Sequence, residues 1–171
     1  MCTNKKYRSE SWIDSRLEVR RSAIEGNGLF AKEPISVGEI TMIWGGDVWP
    51  KEEITSDKVR YKSLVAIDDD HYLGNSVNKP VTLDEYMNHS CNPNMWLIDE
   101  CTVIARLPIN TDDEVTCDMA IFLNEDYVMT DTCRCGTPLC RRRITGKDWM
   151  LREIQLRYAG HFSPFINQKI E

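Results

Sequence analysis

The sequence contains no apolar run long enough to cross a bilayer, no internal repeat and no low-complexity stretch. A membrane partner is therefore not expected. It also lacks an excess of positive charge: 21 Lys and Arg against 27 Asp and Glu leave a net charge of −6. A nucleic-acid partner would need a local basic patch working against that field. The two basic clusters, Arg141-Arg142-Arg143 and the group Arg16, Arg20 and Arg21, have no aromatic interleaving and read as solvated faces. No direct nucleic-acid contact is expected, whereas lysine-rich proteins would be attracted. The charged segment at the N-terminus is followed by no apolar core, so no signal peptide is expected, and the chain reads as intracellular, cytoplasmic or nuclear. Asp68-Asp69-Asp70 lacks the spaced ligands of a calcium loop and reads as a solvated turn.

What is present fits one domain of 171 residues, large enough to bury roughly two thirds of its unfolded surface without staples. Residues 1–16 form a polar, extended lead-in with Trp12 and Ile13 as anchors. From Leu17 the chain alternates apolar and polar residues and turns at Gly26 and Gly28, then again at Pro34 to Gly38 before a short strand, Glu39 to Trp44. Val59, Tyr61 and Leu64 suit a short, partly exposed helix within residues 50–63. Leu64 to Ile67 with His71 to Gly74, and Leu97-Ile98 with Val103 to Ala105, read as hairpins turned by acidic residues. Val115 to Phe122 is an apolar segment with one embedded aspartate, Asp118. Short strands joined by Gly and Pro turns indicate an irregular β protein. Near the end, Thr145 to Asp148 has capping-box spacing, Gly160 is a helix stop, and Ser163-Pro164 opens a second short helix.

Two stretches carry chemistry. In Tyr86 to Trp96, Asn88, His89, Asn92 and Asn94 offer donors and acceptors, and Pro93 stiffens the turn. Cys133, Cys135 and Cys140 supply three thiolates within eight residues, with Gly136 and Pro138 to fold the loop between them. That pattern suits zinc, against a redox Cys-x-Cys pair or buried free thiols. A closed structural site needs a fourth ligand, for which Cys2, Cys91, Cys101, Cys117, His71, His89 and His161 are the candidates.

Gly26 to Ala31, Asn88-His89-Ser90-Cys91-Asn92-Pro93-Asn94, Glu114 to Asp118 and the three-cysteine cluster occur in an order that resembles SET-domain protein lysine methyltransferases with a post-SET zinc motif. The resemblance covers roughly residues 17–146 and implies a SET domain over 17–123, a post-SET zinc segment over 124–146 and a helical segment over 147–171. It implies a mainly β fold with short helices, built of small curved sheets (a β-clip), in which Asn88 to Cys91 and Glu114 to Met119 lie side by side in a C-terminal pseudoknot. It makes Cys91 the fourth ligand of one Zn2+, beside Cys133, Cys135 and Cys140. The implied cofactor is S-adenosyl-L-methionine, held by the backbone of Gly26, Asn27, Gly28 and Leu29 and by Asn88 and His89, with Leu139 or Trp149 over the adenine. The implied partner is a protein or peptide with an accessible lysine, with basic flanks favoured by the negative charge. This peptide would lie as a strand between residues 67–73 and 120–123.

The sequence departs from the family pattern in the second half of the knot. Met119 stands where the family has a tyrosine whose hydroxyl orients the amine, and Cys117 where an aromatic tunes methyl number; Trp44 replaces a further tyrosine. A thioether donates no hydrogen bond. Tyr86 and Tyr127 are the phenols that could project into the channel instead. The alternative to a methyltransferase is thus an impaired SET module that binds cofactor and zinc and serves in binding or assembly.

Overall fold

The computed structural model describes residues 6–123 and 126–171. Cys2, the first part of the lead-in and the boundary at residue 124 lie outside the described residues. The architecture is mainly β with short helices, as the turn-rich sequence implied. Among the described residues eleven short strands form three sheets. The first runs β1 (Trp12–Ile13), β4 (Ile40–Ile43), β10 (Thr102–Ala105), β9 (Met95–Leu97). The second runs β2 (Leu17–Arg21), β3 (Asn27–Ala31), β11 (Glu114–Cys117), β8 (Asn88–His89). The third runs β5 (Asp47–Pro50), β7 (His71–Gly74), β6 (Val65–Ala66).

The lead-in is extended but not loose: Trp12 and Ile13 pair with Ile43 and Met42 and close one edge of the first sheet. The β2–β3 hairpin pairs Leu17 with Ala31 through to Arg21 with Asn27, which places Leu17, Leu29 and Ala31 in the core. The acidic turns form as expected because an aspartate oxygen can satisfy the turn's own amides. Asp68 Oδ1 accepts from Asp70 N and His71 N, each at 2.8 Å, and Asp99 Oδ1 accepts from Cys101 N and Thr102 N.

Residues 50–63 differ from the expected helix. Only Lys51–Glu53 and Tyr61–Ser63 make single 3-10 turns, and between them Val59 bridges to Ser76 and is fully buried. Pairing of Arg60 N with Asn75 O and of Val77 N with Lys58 O outweighs local helix propensity here. Arg60 then clamps the neighbouring loop: its guanidinium holds Glu85 and donates to the carbonyls of Ser76, Lys79 and Pro80. Glu85 belongs to the 3-10 turn Leu83–Tyr86, opened by a capping box from Thr82.

The strand β11 decides where the site lies. Its first half pairs antiparallel with β3 (Glu114 with Phe30, Val115 with Leu29), and its second half runs parallel to β8 (Thr116 with Asn88, Cys117 with His89). The two motif segments are thereby neighbours, as the resemblance implied. After β11 the chain makes the 3-10 turn Met119–Ile121.

At the C-terminal end Asp148 Oδ1 accepts from Thr145 N and Thr145 Oγ1, which is half of the expected capping box. Thr145 Oγ1 accepts from Lys147 N instead of Asp148 N, and the 3-10 turn that follows, Asp148–Met150, starts from Lys147 without a side-chain cap, ahead of α1 (Arg152–Arg157). Gly160 has φ +78°, the left-handed geometry of a helix stop, and the Ser163 side chain caps α2 (Pro164–Ile170). Trp149, Ile154, Tyr158, Phe162, Phe165 and Ile166 join the main core. A second, smaller cluster gathers Cys91, Cys133 and Ile144, and Met119 and Tyr127 pack against both.

Candidate functional site

A cavity of about 710 Å³ opens where the second and third sheets meet, within the range of small-molecule sites. One flank is built by Ile24 and Glu25 of the β2–β3 turn and by Asn88 and His89 of β8; the other is Val65 and Tyr72 of the third sheet. The floor comes from Trp44, Met119, Phe122 and Leu123, with Trp44 and Phe122 edge-to-face at 5.0 Å. Tyr127, Met129 and Cys133 complete the wall, so the cavity abuts the cysteine cluster. Five carboxylates (Glu25, Asp84, Glu85, Asp126, Asp131) against three cations (Lys51, Lys62, Arg134) make its lining net acidic.

The side chains of β8 are fixed from several directions. Asn88 Nδ2 donates to Glu114 Oε1 at 2.8 Å and to the carbonyls of Glu25 and Asn27. The amide nitrogen is thus saturated, and the side-chain oxygen is what Asn88 has left to offer a ligand. Gly28 makes this possible: a Cβ there would lie 2.1 Å from Glu114 Oε1 and 3.0 Å from Asn88 Nδ2. His89 is nearly sealed. Its Nδ1 accepts from Met119 N at 3.2 Å, which leaves the proton on Nε2, 3.3 Å from Cys91 Sγ. Burial, only partly opposed by Asp118, pushes the His89 pKa down to about 4. The ring is therefore neutral and ties the turn at Met119 to β8.

Cys91, Cys133, Cys135 and Cys140 bring their sulfur atoms within 4.8 Å of one another. Four thiolates bound at about 2.3 Å to one tetrahedral ion sit roughly 3.8 Å apart, so this donor set fits a closed soft-metal site. Burial pushes the Cys91 and Cys133 thiols up, Cys133 to about 11, while Arg141 N–H, 3.3 Å from Cys91 Sγ, works the other way. Cys135 is also penalised by burial, but hydrogen bonding around Thr137 brings it down to about 6. The other described candidates are engaged elsewhere. His71 pairs with Asp68, His161 Nδ1 lies 2.7 Å from Leu97 O, and His89 meets the sulfur of Cys91 as a hydrogen-bond partner. Cys117 is in the main core and Cys101 packs against it.

The structure brings some of the expected residues together and separates others. Asn88, His89, Met119 and Tyr127 share the cavity wall. Gly26 to Leu29 do not border it; Ile24 and Glu25, just before them, do, and the space beside Gly28 is taken by Glu114. Cys117 is sealed in the main core and does not border the cavity. Tyr86 does not line the cavity but an adjoining groove, with Arg60 and Val81, that shares Tyr61, Lys62 and Glu85 with it. Trp149 is buried in the main core and Leu139 is exposed, neither on the cavity wall. Beside the slot expected for an added strand, between residues 67–73 and 120–123, Ala66 N–H donates to Phe122 O at 3.2 Å.

One group was invisible in the sequence. Arg141, read there as part of a solvated basic run, has a side chain only 8% exposed. Its Nη1 and Nη2 donate to Asp118 Oδ2 and Oδ1 at 2.7 and 2.8 Å, and its Nε to Asp148 Oδ2 at 2.7 Å. The Tyr158 hydroxyl donates to Asp118 Oδ2 at 3.0 Å. Burial opposes ionisation of Asp118, but the guanidinium prevails and its pKa is lowered. The signal that pointed here was Asp118 itself, a lone charge in an apolar run that must have a buried counter-charge.

Residues 26–119, more than half of the chain, match the family model described as SET domain. Among curated relatives, the histone-lysine N-methyltransferase SETD1 of Drosophila melanogaster is 25% identical over 150 residues, covering 80% of this chain and 9% of the relative. The chain thus corresponds to about a tenth of that protein's length. Among solved structures, the methyltransferase domain of human SETMAR superposes with a TM-score of 0.60 at 18% identity, over 77% of this chain and 58% of that one. KRYPTONITE, crystallised with mCHH DNA, an H3(1-15) peptide and SAH, gives 0.57 at 21%, over 77% and 30%. With the family match resting on the segment that contains β8, β11 and most of the cavity's wall, the chain belongs to the SET domain family.

Proposed function

We propose that the chain is an S-adenosylmethionine-dependent protein lysine N-methyltransferase. The observation that carries this reading is one cavity that joins Asn88 and His89 to Met119, the aromatic floor of Trp44 and Phe122, and Tyr72 on the flank. Its size and mixed lining suit a nucleoside-bearing ligand at the Glu25–Asn88 side and a slender alkylamine over the apolar floor. Relatives named as histone-lysine N-methyltransferases and a structural neighbour solved with SAH and a histone peptide support the same assignment.

When bound, the cofactor supplies an electrophilic methyl group on sulfur. The work of this chain is to hold the partners and keep water out. Asn88 Oδ1, with its amide nitrogen committed elsewhere, would accept from the cofactor's polar end, and Glu25 lies beside Asn88. The apolar floor desolvates the incoming lysine and so favours its neutral, reactive amine. The acidic lining attracts a basic peptide. Met119 contributes packing and an anchored main chain but no donor; Tyr127 is a phenol that shares the cavity wall and both packed clusters with Met119.

We assign one structural Zn2+ to Cys91, Cys133, Cys135 and Cys140, and divide the chain into a SET domain over 17–123, a zinc segment over 124–146 and a helical segment over 147–171. Free thiolates for a metal require a reducing setting, which favours the cytoplasm or nucleus. No helix of the described residues is long and apolar enough to cross a membrane. Titration of S-adenosylhomocysteine into the metal-loaded protein tests the pocket: one site per chain is expected, weakened about tenfold in Asn88→Ala. A native protein that takes up none of this ligand would sink the reading.

A further inference from the structure

We propose that Arg141 is a positioning residue that transmits the state of the cysteine cluster to the wall of the cavity, so that metal loss loosens the turn at Met119. The proposal rests on the reading that the four cysteines hold a metal. Arg141 follows Cys140 directly, and its main-chain N–H points at Cys91 Sγ, 3.3 Å away. Its backbone is thus tied to the cluster by a covalent neighbour on one side and a hydrogen bond to a second thiol on the other. Its side chain reaches two carboxylates outside the cluster. The fork of the guanidinium meets both oxygens of Asp118, and Nε meets Asp148.

Asp118 is fully buried and serves the cavity rather than the cluster. Its Oδ1 accepts from Ala120 N at 3.0 Å and its main-chain carbonyl from Ile121 N, which shapes the turn Met119–Ile121. Met119 N in turn donates to His89 Nδ1, and both residues border the cavity. Two further contacts close the circuit: the Tyr158 hydroxyl reaches Asp118, and Arg157 Nη1 donates to Cys91 O at 2.9 Å. A buried ion pair is a poor device for stability alone, since apolar replacements often fold as well. A planar, bidentate group with a fixed backbone is well suited to passing on a displacement. Lysine, with one point charge, cannot hold Asp118 at two oxygens and Asp148 at a third.

The test uses the full chain as purified and compares native protein with Arg141→Lys, each metal-loaded and after chelation. The main readout is amide hydrogen exchange at Ile121, Phe122 and Leu123, whose N–H groups close the turn and whose behaviour requires no cofactor. Amides of the β2–β3 hairpin serve as the internal reference. In native protein, chelation is expected to speed exchange at the turn about tenfold relative to the hairpin. In Arg141→Lys, with metal content unchanged, the turn is already fast and chelation adds less than about twofold. Asp148→Asn, which loosens Nε but leaves the Asp118 pair, gives an intermediate response and stands in if the lysine variant does not fold. Slow, fully metal-responsive exchange in the variants overturns the proposal. So does native protein without metal, or loss of metal from Arg141→Lys, which would make Arg141 a mere scaffold of the cluster. S-adenosylhomocysteine titration runs alongside: failure of the native protein to bind it strikes the pocket reading, while the exchange data still decide on Arg141.

Discussion

Gly28→Ala probes how the cavity's Asn88 is held. The methyl group would sit 2.1 Å from Glu114 Oε1 and 2.8 Å from Cδ, with the next contact, Asn88 Nδ2, at 3.0 Å. Glu114 can move, because the clash is with the far end of a flexible side chain, but it must retreat by more than an ångström. In doing so it gives up Asn88 Nδ2 at 2.8 Å and the Ser22 hydroxyl at 2.8 and 2.9 Å. Charge-assisted bonds of this kind contribute about 1.5–3 kcal/mol each when lost without replacement. Water reaches the half-buried Glu114 and recovers part of this, and Ala gains about 0.4–1 kcal/mol by restricting the unfolded chain. A net destabilisation of about 1–2 kcal/mol follows, read from urea denaturation. The functional effect is larger in kind: Asn88 keeps only two carbonyl partners, and binding of S-adenosylhomocysteine weakens about tenfold. In a Glu114→Ala background the added methyl meets no carboxylate, so the double variant is at least as stable as Glu114→Ala alone. Additive losses, or full ligand affinity in Gly28→Ala, would refute the reasoning.

Other perturbations test other joints. Cys91→Ser should lower metal content from one ion per chain to well below half by elemental analysis; full content in the variant contradicts the four-cysteine site. Met119→Tyr should raise any native methyl-transfer rate by roughly tenfold or more by restoring an oriented donor in a dry site, and an unchanged rate argues that another hydroxyl such as Tyr127 already serves. Glu85 is disfavoured as a carboxylate by burial, yet its pair with Arg60 at 2.6 Å prevails and lowers its pKa. Its stabilising contribution is therefore present above the unfolded value of about 4.3 and lost as pH falls through the lower folded value. Denaturation between about pH 5 and pH 3 should show a steeper fall for native protein than for Glu85→Gln. At Gly160 a Cβ meets nothing within 4 Å, but φ is +78°, so Gly160→Ala should cost about 1 kcal/mol by backbone strain alone, seen as a lowered melting temperature.

The sequence revealed most where local chemistry was self-sufficient. Asp68 and Asp99 satisfy their own turns, Gly160 and Ser163 end and begin helices within a few residues, and the three late cysteines announce their loop by spacing. The resemblance located Cys91 and the pairing of β8 with β11, which no local rule gives, because the paired residues of the two strands are 28 positions apart and meet only through the topology. What escaped was decided by long-range contacts. Residues 50–63 gave up a helix for a bridge from Val59 to Ser76. Trp149, expected over an adenine, was claimed by the core that α1 and α2 complete. Arg141 could not be told from Arg142 and Arg143 by composition; only the buried Asp118 selects it.

The most direct measurement is methyl transfer itself. Metal-loaded native chain, incubated with isotopically labelled S-adenosylmethionine and a lysine-rich protein mixture, should leave label on lysine Nζ as located by tandem mass spectrometry, and Asn88→Ala should abolish most of it. Cofactor binding at full stoichiometry with no labelled lysine, from native protein and Met119→Tyr alike, would contradict the assignment of this cavity to lysine methylation.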